Sequence, residues 1–146
     1  MVVSKNIYLA DDDTDDHFIF GAALEEICDD YTLTIISSGD ELLTTLRTPG
    51  VRNPDIVFLD INMPRKNGIE TLKVIKEDPK INSLQIVMYS TSSNPLYISQ
   101  AQQAGACSYF VKPNDFSKLK QLLLKTLSID WGSYNVPANR QEFIIN

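Results

Sequence analysis

Five short apolar runs recur along the chain, and each is followed by a segment whose apolar positions have helical spacing. The runs cover residues 6–10, 32–37, 55–59, 85–89 and 108–111. This alternation of strands and helices is typical of βαβ units and predicts a parallel sheet. The third and fourth runs, IVFL and IVMY, are apolar at successive positions, as in strands that are covered on both faces, so we expect them at the centre of the sheet.

The segments between and after these runs predict five helices. They cover residues 15–27, 40–47, 68–77, 95–104 and 115–127. Gly105 is expected to end the fourth helix, and Asn114 is expected to cap the fifth. The resulting (βα)5 order predicts an α/β fold with a doubly wound parallel sheet.

Composition limits the classes of function. The chain has 146 residues, is 43% hydrophobic and 22% charged, and carries a net charge of −6. These values fit one compact domain, and the absence of a basic run argues against nucleic-acid binding. No secretion signal or membrane-length apolar stretch is evident, so a cytoplasmic location without membrane attachment is expected. Cys28 and Cys107 are far apart and are expected to be reduced, buried thiols.

Polar residues follow four of the five predicted strands. Asp11 and Asp12 follow the first strand, Asp60 the third, Ser90 the fourth and Lys112 the fifth. In doubly wound sheets, ligands bind outside the carboxyl ends of the strands. We therefore expect three carboxylates, a hydroxyl and an ammonium to meet at one rim of the sheet.

Such a rim is suited to a divalent cation and a phosphoryl group. Two carboxylates about 4 Å apart repel each other by roughly 4 kcal/mol at an effective dielectric constant near 20. Mg²⁺ offsets this repulsion, because it is typically held by one or two carboxylates, waters and phosphate oxygens. A carboxylate can also act as the nucleophile in phosphoryl transfer. Asp60, at the end of the most apolar strand, is the central candidate for that nucleophile.

The acidic segment DDDTDD, residues 11–16, contains three further aspartates after Asp11 and Asp12, and these have other expected roles. Asp15 and Asp16 fall in the first turn of a predicted helix, where the helix dipole favours anions. Asp13 or Thr14 is expected to cap that helix, and the alternative for Asp13 is a solvated surface position. A calcium loop is excluded, because its sixth and twelfth positions lack the required glycine and glutamate. His17 is expected at the surface, away from the strand ends, so a phosphohistidine donor must come from another protein.

Four segments together resemble the receiver domain of two-component response regulators, especially single-domain receivers of the chemotaxis type. They are LADD at 9–12, FLDINMPRKNG at 58–68, MYSTS at 88–92 and SYFVKP at 108–113. Their order and spacing match the family over about residues 4–127. The resemblance implies a flavodoxin-like sheet with strand order 2-1-3-4-5.

The resemblance also implies a magnesium-dependent phosphorylation site. Asp60 would be the phosphoacceptor, and Mg²⁺ would be held by Asp12, Asp60 and the backbone carbonyl of Asn62. Asp11 would bind the metal directly or through water. A protein of this kind promotes its own phosphorylation and dephosphorylation, so it is not expected to be an enzyme acting on other substrates.

Further residues are implied to read the phosphorylated state. Ser90 and Lys112 would contact the phosphoryl oxygens, and a cis Lys112–Pro113 peptide bond would direct the lysine inward. Tyr109 resembles the aromatic switch residue of the family, which turns inward when Ser90 moves toward the phosphoryl group. The implied partners are a histidine kinase or histidine phosphotransfer protein, and a downstream protein or second receiver on the face of helix 4, strand 5 and helix 5.

Two questions stay open from the sequence. An aspartyl-phosphatase on a related α/β fold is the alternative function, although Asp15 stands where its D-x-D-x-T/V signature has Thr or Val. Residues 1–127 are expected to form the receiver domain and residues 128–146 a tail without an output domain. The apolar residues of that tail favour packing on the chain's own domain and docking of a partner or second copy about equally; they are Trp131, Tyr134, Phe143, Ile144 and Ile145.

Overall fold

The computed structural model describes residues 5–133, 136–137 and 139–146, and these contain a parallel sheet of six strands. The strands are β1 (Lys5–Ala10), β2 (Tyr31–Ile36), β3 (Ile56–Leu59), β4 (Ile86–Ser90), β5 (Ser108–Val111) and β6 (Ile144–Ile145). Their order is β2-β1-β3-β4-β5-β6, and every neighbouring pair is parallel. The predicted flavodoxin-like order is confirmed, and β6 extends it by one strand.

Helices cover both faces of the sheet. They are α1 (Thr14–Ile27), α2 (Gly39–Arg47), α3 (Gly68–Glu77), α4 (Pro95–Ala104), α5 (Phe116–Leu127) and α6 (Arg140–Phe143). The helices α1 and α5 pack against each other on one face, whereas α2, α3 and α4 follow one another on the other face. Because β3 and β4 lie between the two layers, all their residues are buried, which confirms their predicted central position.

The helix ends are set by local side-chain hydrogen bonds. The carboxylate of Asp13 caps α1 by accepting a hydrogen bond from the Asp15 N–H. Gly105 ends α4 with a positive φ of 102°, as predicted. The prediction that Asn114 caps α5 is wrong. The cap is Asp115, whose carboxylate accepts a hydrogen bond from the Ser117 N–H and so satisfies one free donor of the first turn.

The described part of the tail packs on its own domain. The strand β6 pairs with β5 at the edge of the sheet, and Phe143 is fully buried in the same core cluster as Tyr109. The Ser108 hydroxyl donates a buried hydrogen bond of 2.6 Å to the Phe143 carbonyl. Trp131 is 9% exposed, and its indole N–H donates to the Thr126 carbonyl. Tyr134 lies outside the described residues.

The two cysteines and the lengths of the helices also test expectations from the sequence. Cys28 and Cys107 are free and buried, as predicted, and burial raises the pKa of the Cys107 thiol to about 12. Across the described residues, no helix combines the length and the apolar character needed to cross a bilayer.

Candidate functional site

Backbone hydrogen bonds between neighbouring strands bring the predicted site residues to one rim. The Asp11 N–H donates to the Ile36 carbonyl and the Asp60 N–H to the Ala10 carbonyl, at 2.9 and 2.8 Å. On the other side of the site, the Lys112 N–H donates to the Ser90 carbonyl at 2.8 Å. Each bond continues a strand pairing by one residue, so the side chains that follow the strands start from fixed positions.

Three carboxylates converge at this rim. Asp11, Asp12 and Asp60 each offer one oxygen, and these oxygens lie within 4.8 Å of one another. Asp11 and Asp60 are buried, whereas Asp12 is exposed. Hard oxygen donors at this separation suit a divalent cation such as Mg²⁺ or Mn²⁺, and the exposed side leaves room for waters or a phosphate oxygen.

Lys112 is the cation that the chain itself places among these carboxylates. Its ammonium lies 2.7 Å from an oxygen of Asp11, 2.7 Å from one of Asp16 and 3.5 Å from one of Asp60. The side chain is 8% exposed, and the ammonium lies 4.8 Å from the centre of the Tyr89 ring. One lysine therefore bridges three carboxylates from three different parts of the chain.

Burial and like charges shift the protonation of the two inner carboxyl groups. Burial raises the pKa of Asp60 to about 6; Lys112 opposes this shift and Asp11 adds to it. Burial also raises the pKa of Asp11, against the hydrogen bond from Lys112. For Lys112, burial lowers the pKa, but the hydrogen bonds to Asp11 and Asp16 outweigh it, so the net shift is upward. The rim thus carries more negative charge than its own lysine balances.

The loop after Asp60 is held tightly against β3. The Asn62 N–H donates to the Asp60 carboxylate at 3.4 Å, and the Gly68 N–H donates to the Ile61 carbonyl at 2.9 Å. A Cβ atom on Gly68 would lie 2.1 Å from the Asp60 carbonyl oxygen. Glycine is therefore required at position 68 for α3 to begin this close to the end of β3.

Ser90 and Tyr109 meet around the loop that follows β4. The Ser90 hydroxyl is buried and accepts a hydrogen bond of 3.1 Å from the Ser92 N–H. Tyr109 is fully buried, and its hydroxyl donates to the Ser92 carbonyl at 2.7 Å. The Asn94 N–H donates to the Ser92 hydroxyl, which ties the start of α4 to the same loop. Both candidate switch residues thus contact the segment between β4 and α4.

Two sequence predictions about this region are wrong. The Lys112–Pro113 peptide bond is trans, not cis. The trans isomer is the lower in energy for an X-Pro bond, and the ammonium of Lys112 reaches Asp11 from it. His17 does not lie away from the strand ends: its ring is half-buried and forms a hydrogen bond with the backbone carbonyl of Asp11.

Sequence reasoning also missed Asp16 as a partner of Lys112. The sequence pattern identifies Asp16 only as an acidic residue of the first helical turn. The short connection between β1 and α1 could have predicted this contact. Because α1 begins four residues after β1 ends, its first turn must lie beside the rim. A side chain of that turn, such as Asp16 or His17, is then within reach of groups that follow the strands.

A family comparison identifies this arrangement. The response regulator receiver domain model matches residues 7–124. The chain therefore belongs to the response regulator receiver family of two-component signalling proteins.

Individual relatives support the family and the fold. The hybrid signal transduction histidine kinase A of Dictyostelium discoideum is 32% identical over 109 residues, which are 73% of this chain and 5% of that protein. The chain spans only 5% to 31% of the lengths of the first three curated relatives that it matches. The response regulator Rcp1 of Synechocystis is comparable in length, with 25% identity over 92% of this chain and 94% of Rcp1.

Two solved structures resemble more than nine-tenths of the chain. The Mn²⁺-bound form of Rcp1 has a TM-score of 0.77 at 25% identity and covers 92% of this chain and 99% of its own. The phosphorylated cyanobacterial phytochrome response regulator RcpA has a TM-score of 0.80 at 26% identity and covers 93% of this chain and 100% of its own. Receiver domains with this architecture thus exist with a bound divalent metal and in phosphorylated form.

Proposed function

We propose that this chain is a phosphorylation switch in which Asp60 accepts a phosphoryl group from a histidine kinase or a histidine phosphotransfer protein. The observation that carries the proposal is the convergence of Asp11, Asp12 and Asp60 within 4.8 Å, with Lys112 beside them. Asp60 lies at the end of the central strand β3, and its buried carboxylate lies beside the exposed Asp12. Two free thiols fit a reducing compartment, so the proposal places the switch in the cytoplasm.

The chemical step transfers phosphorus from nitrogen to oxygen. An oxygen of the Asp60 carboxylate attacks the phosphorus of a phosphohistidine on the donor protein. The new O–P bond forms as the P–N bond breaks, and the electron pair of that bond stays on the imidazole, which takes a proton from solvent. Lys112 would neutralise part of the negative charge on the phosphoryl oxygens.

The proposed metal is Mg²⁺, which would be held by Asp12, Asp60 and the backbone carbonyl of Asn62, with Asp11 binding it directly or through water. When bound, it would neutralise charge on the carboxylates and on the phosphoryl group. The support is the donor set itself, which consists of carboxylate oxygens on an open rim. Burial is the main cause of the raised pKa of Asp60, and a bound cation would lower that pKa by stabilising the ionised carboxylate.

The conformational response is proposed to run through Ser90 and Tyr109. A phosphoryl group on Asp60 adds about −1.5 to −2 charges and new acceptor oxygens, which favours the conformer in which Ser90 donates to it. The Ser92 N–H would then lose its hydrogen bond to Ser90, and the Ser92 carbonyl that Tyr109 holds would shift with it. The segment between β4 and α4 is therefore the proposed moving part.

The proposed output face consists of α4, β5 and α5 together with the described tail. Tyr109 lies opposite Ile144 in the pairing of β5 with β6, and Gln102 on α4 donates to the Pro137 carbonyl. A movement of Tyr109 would thus alter the position of the tail. The partner on this face is a downstream protein, and binding of a second copy to form a homodimer is the other outcome to test.

The donor is proposed to dock on α1, beside the pocket. Phe18 is 78% exposed and Ile19 is 42% exposed, while the neighbouring His17 contacts the rim. Exposed large apolar side chains next to a reactive group fit a transient protein contact. Nucleic acid is not proposed as a partner, because the net charge of −6 would repel a phosphate backbone.

Labelling with acetyl phosphate tests the proposed acceptor. In the presence of Mg²⁺, wild-type protein should gain one acid-stable, base-labile phosphate, and Asp60→Asn should gain none. Asp15→Asn, an exposed carboxylate of the same segment, is the matched control and should be labelled like wild type. Equal labelling of Asp60→Asn would refute the proposal, and repeated turnover of small phosphate esters would support the aspartyl-phosphatase alternative instead.

A pull-down with and without beryllium fluoride tests the partners. The beryllium fluoride adduct mimics phosphorylated aspartate, so a downstream partner should be retained only with the adduct. Sedimentation of the adduct alone would detect a homodimer. Retention that is independent of the adduct would contradict the proposed switch.

A further inference from the structure

We propose that Asp16 is a positioning residue that holds the Lys112 ammonium away from Asp60, so that the Asp60 carboxylate stays available to a divalent cation. The proposal rests on the proposed phosphorylation site and adds a function to a residue outside it. The observation is the 2.7 Å contact between the Lys112 ammonium and the Asp16 carboxylate. Asp16 comes from the first turn of α1, not from a strand end.

The three partners of Lys112 are not equivalent. Asp11 and Asp60 belong to the carboxylate cluster that suits a metal, whereas the Asp16 oxygen is outside that cluster. The ammonium lies 2.7 Å from both Asp11 and Asp16 but 3.5 Å from Asp60, so Asp60 is the partner that it contacts least closely. An ammonium can direct three N–H bonds, and Asp16 takes one that would otherwise be directed at the cluster.

The surroundings of Asp16 stabilise the ammonium in this position beside Asp16. The Tyr89 ring lies 4.8 Å from the ammonium and provides a favourable cation–π contact. A cavity of about 140 Å³ adjoins it and is lined by Asp16, Tyr89 and Lys112, among others. The Asp16 side chain is 27% exposed and lies in the first turn of α1, where the helix dipole favours its charge.

Lys112 and a divalent cation compete for the same carboxylates, so the loss of Asp16 should affect metal binding. Without the Asp16 charge, the Lys112 ammonium, which already contacts Asp11 at 2.7 Å, would move toward Asp60. A lysine that pairs closely with these carboxylates competes with a divalent cation for the same oxygens. Asp16→Asn should therefore weaken metal binding, although Asp16 is not a metal ligand.

Mn²⁺ binding measured by electron paramagnetic resonance tests this inference without any phosphoryl donor. Asp16→Asn should raise the Kd for Mn²⁺ by about fivefold, a change within the range of one charge at this distance. Asp16→Glu should restore most of the affinity. Asp15→Asn removes the same charge from the same helical turn and should change the Kd by less than about twofold, because an exposed charge is screened. Thermal melts would confirm that each variant is folded.

A double-mutant cycle separates positioning from a simple loss of negative charge. If Asp16 acts through Lys112, Asp16→Asn should have little effect on the Mn²⁺ Kd when Lys112 is already alanine. An equal loss of affinity in the Lys112→Ala background would overturn the proposal, and so would an unchanged Kd in Asp16→Asn alone. Acetyl phosphate labelling of Asp60 reports the proposed function independently, so labelling with an unchanged Kd would refute only the role of Asp16.

Discussion

The rim at the carboxyl ends of the strands and the added edge at β6 belong to one sheet, but opposite forces act on them. At the rim, the buried carboxylates Asp11 and Asp60 repel each other, and burial raises the pKa of both. At the edge, Phe143 and Ile145 bury apolar surface and complete the two core clusters. The rim is thus held in an unfavourable electrostatic state that a bound cation would relieve, whereas the edge is stabilised mainly by apolar burial together with the hydrogen bond between Ser108 and Phe143.

This comparison separates residues that are kept for function from residues that are kept for folding. A change at the edge should alter the free energy of unfolding and leave phosphorylation intact. A change at the rim should alter metal binding and phosphorylation, with a stability effect whose sign depends on which charge is removed. Four predictions follow this contrast, ordered by their expected effect on the free energy of unfolding.

Phe143→Ala should lower the free energy of unfolding the most, by about 3 kcal/mol, because a fully buried phenylalanine is replaced by a cavity. The measurement is urea denaturation followed by tryptophan fluorescence. Val136→Ala, at a tail side chain that is 47% exposed, is the control and should change stability by less than about 0.5 kcal/mol. Acetyl phosphate labelling of folded Phe143→Ala should match wild type; a loss of labelling would show that the edge and the rim are coupled.

Lys112→Ala should lower the free energy of unfolding by about 2 kcal/mol in EDTA at pH 7, because it leaves buried carboxylates without their cation. Added Mg²⁺ should restore part of the stability, since the metal then neutralises the same groups. The mutation should reduce the phosphorylation-dependent response more than it reduces metal affinity. If Mg²⁺ binds the variant much more weakly than wild type, the proposed placement of Lys112 as a competitor is incorrect.

Asp60→Asn should raise the free energy of unfolding by about 1 kcal/mol at pH 7 in EDTA, because it removes a buried charge. The pH dependence provides the sharper test. The pKa of Asp60 is about 6 in the folded state and near 3.8 in the unfolded chain, so the folded state binds the extra proton between these values. The Asp60 contribution to stability therefore falls as pH rises from 4 to 6 and is fully lost above that range. Asp60→Asn should lose this component; an unchanged slope would contradict the raised pKa.

Phe18→Asp should change the free energy of unfolding by less than about 0.5 kcal/mol, because the side chain is 78% exposed. It should nevertheless slow phosphotransfer from a cognate histidine kinase by about tenfold, since it puts a charge into the proposed docking surface. Labelling by acetyl phosphate, which needs no docking surface, should stay the same. An equal loss with both donors would place Phe18 in the site itself.

Most of the fold could be predicted from local sequence patterns. The apolar runs that became β3 and β4 are continuous because both their faces are covered, and that pattern is visible without a structure. The helix ends at Asp13 and Gly105 follow from side-chain capping and from a positive φ, which are local properties. By contrast, β6 has only two residues, so it is too short to carry a periodic signal.

The candidate site was predictable only where a residue's position follows from the order of the strands. Residues that directly follow strands, such as Asp60 and Lys112, are placed by the sheet order alone. Asp16 and His17 are placed by how the first turn of α1 lies over the rim, which depends on tertiary packing. The isomer of the Lys112–Pro113 bond also depends on tertiary context, because the two forms differ by only about 0.5–1 kcal/mol.

The most direct test of the central claim is a crystal structure of this protein grown with Mg²⁺ and beryllium fluoride. The account predicts a cation among the carboxylates of Asp11, Asp12 and Asp60, beryllium fluoride on an oxygen of Asp60, and the Lys112 ammonium within hydrogen-bonding distance of a fluorine. A cation bound elsewhere, or an Asp60 carboxylate that carries no adduct while another carboxylate does, would contradict the account.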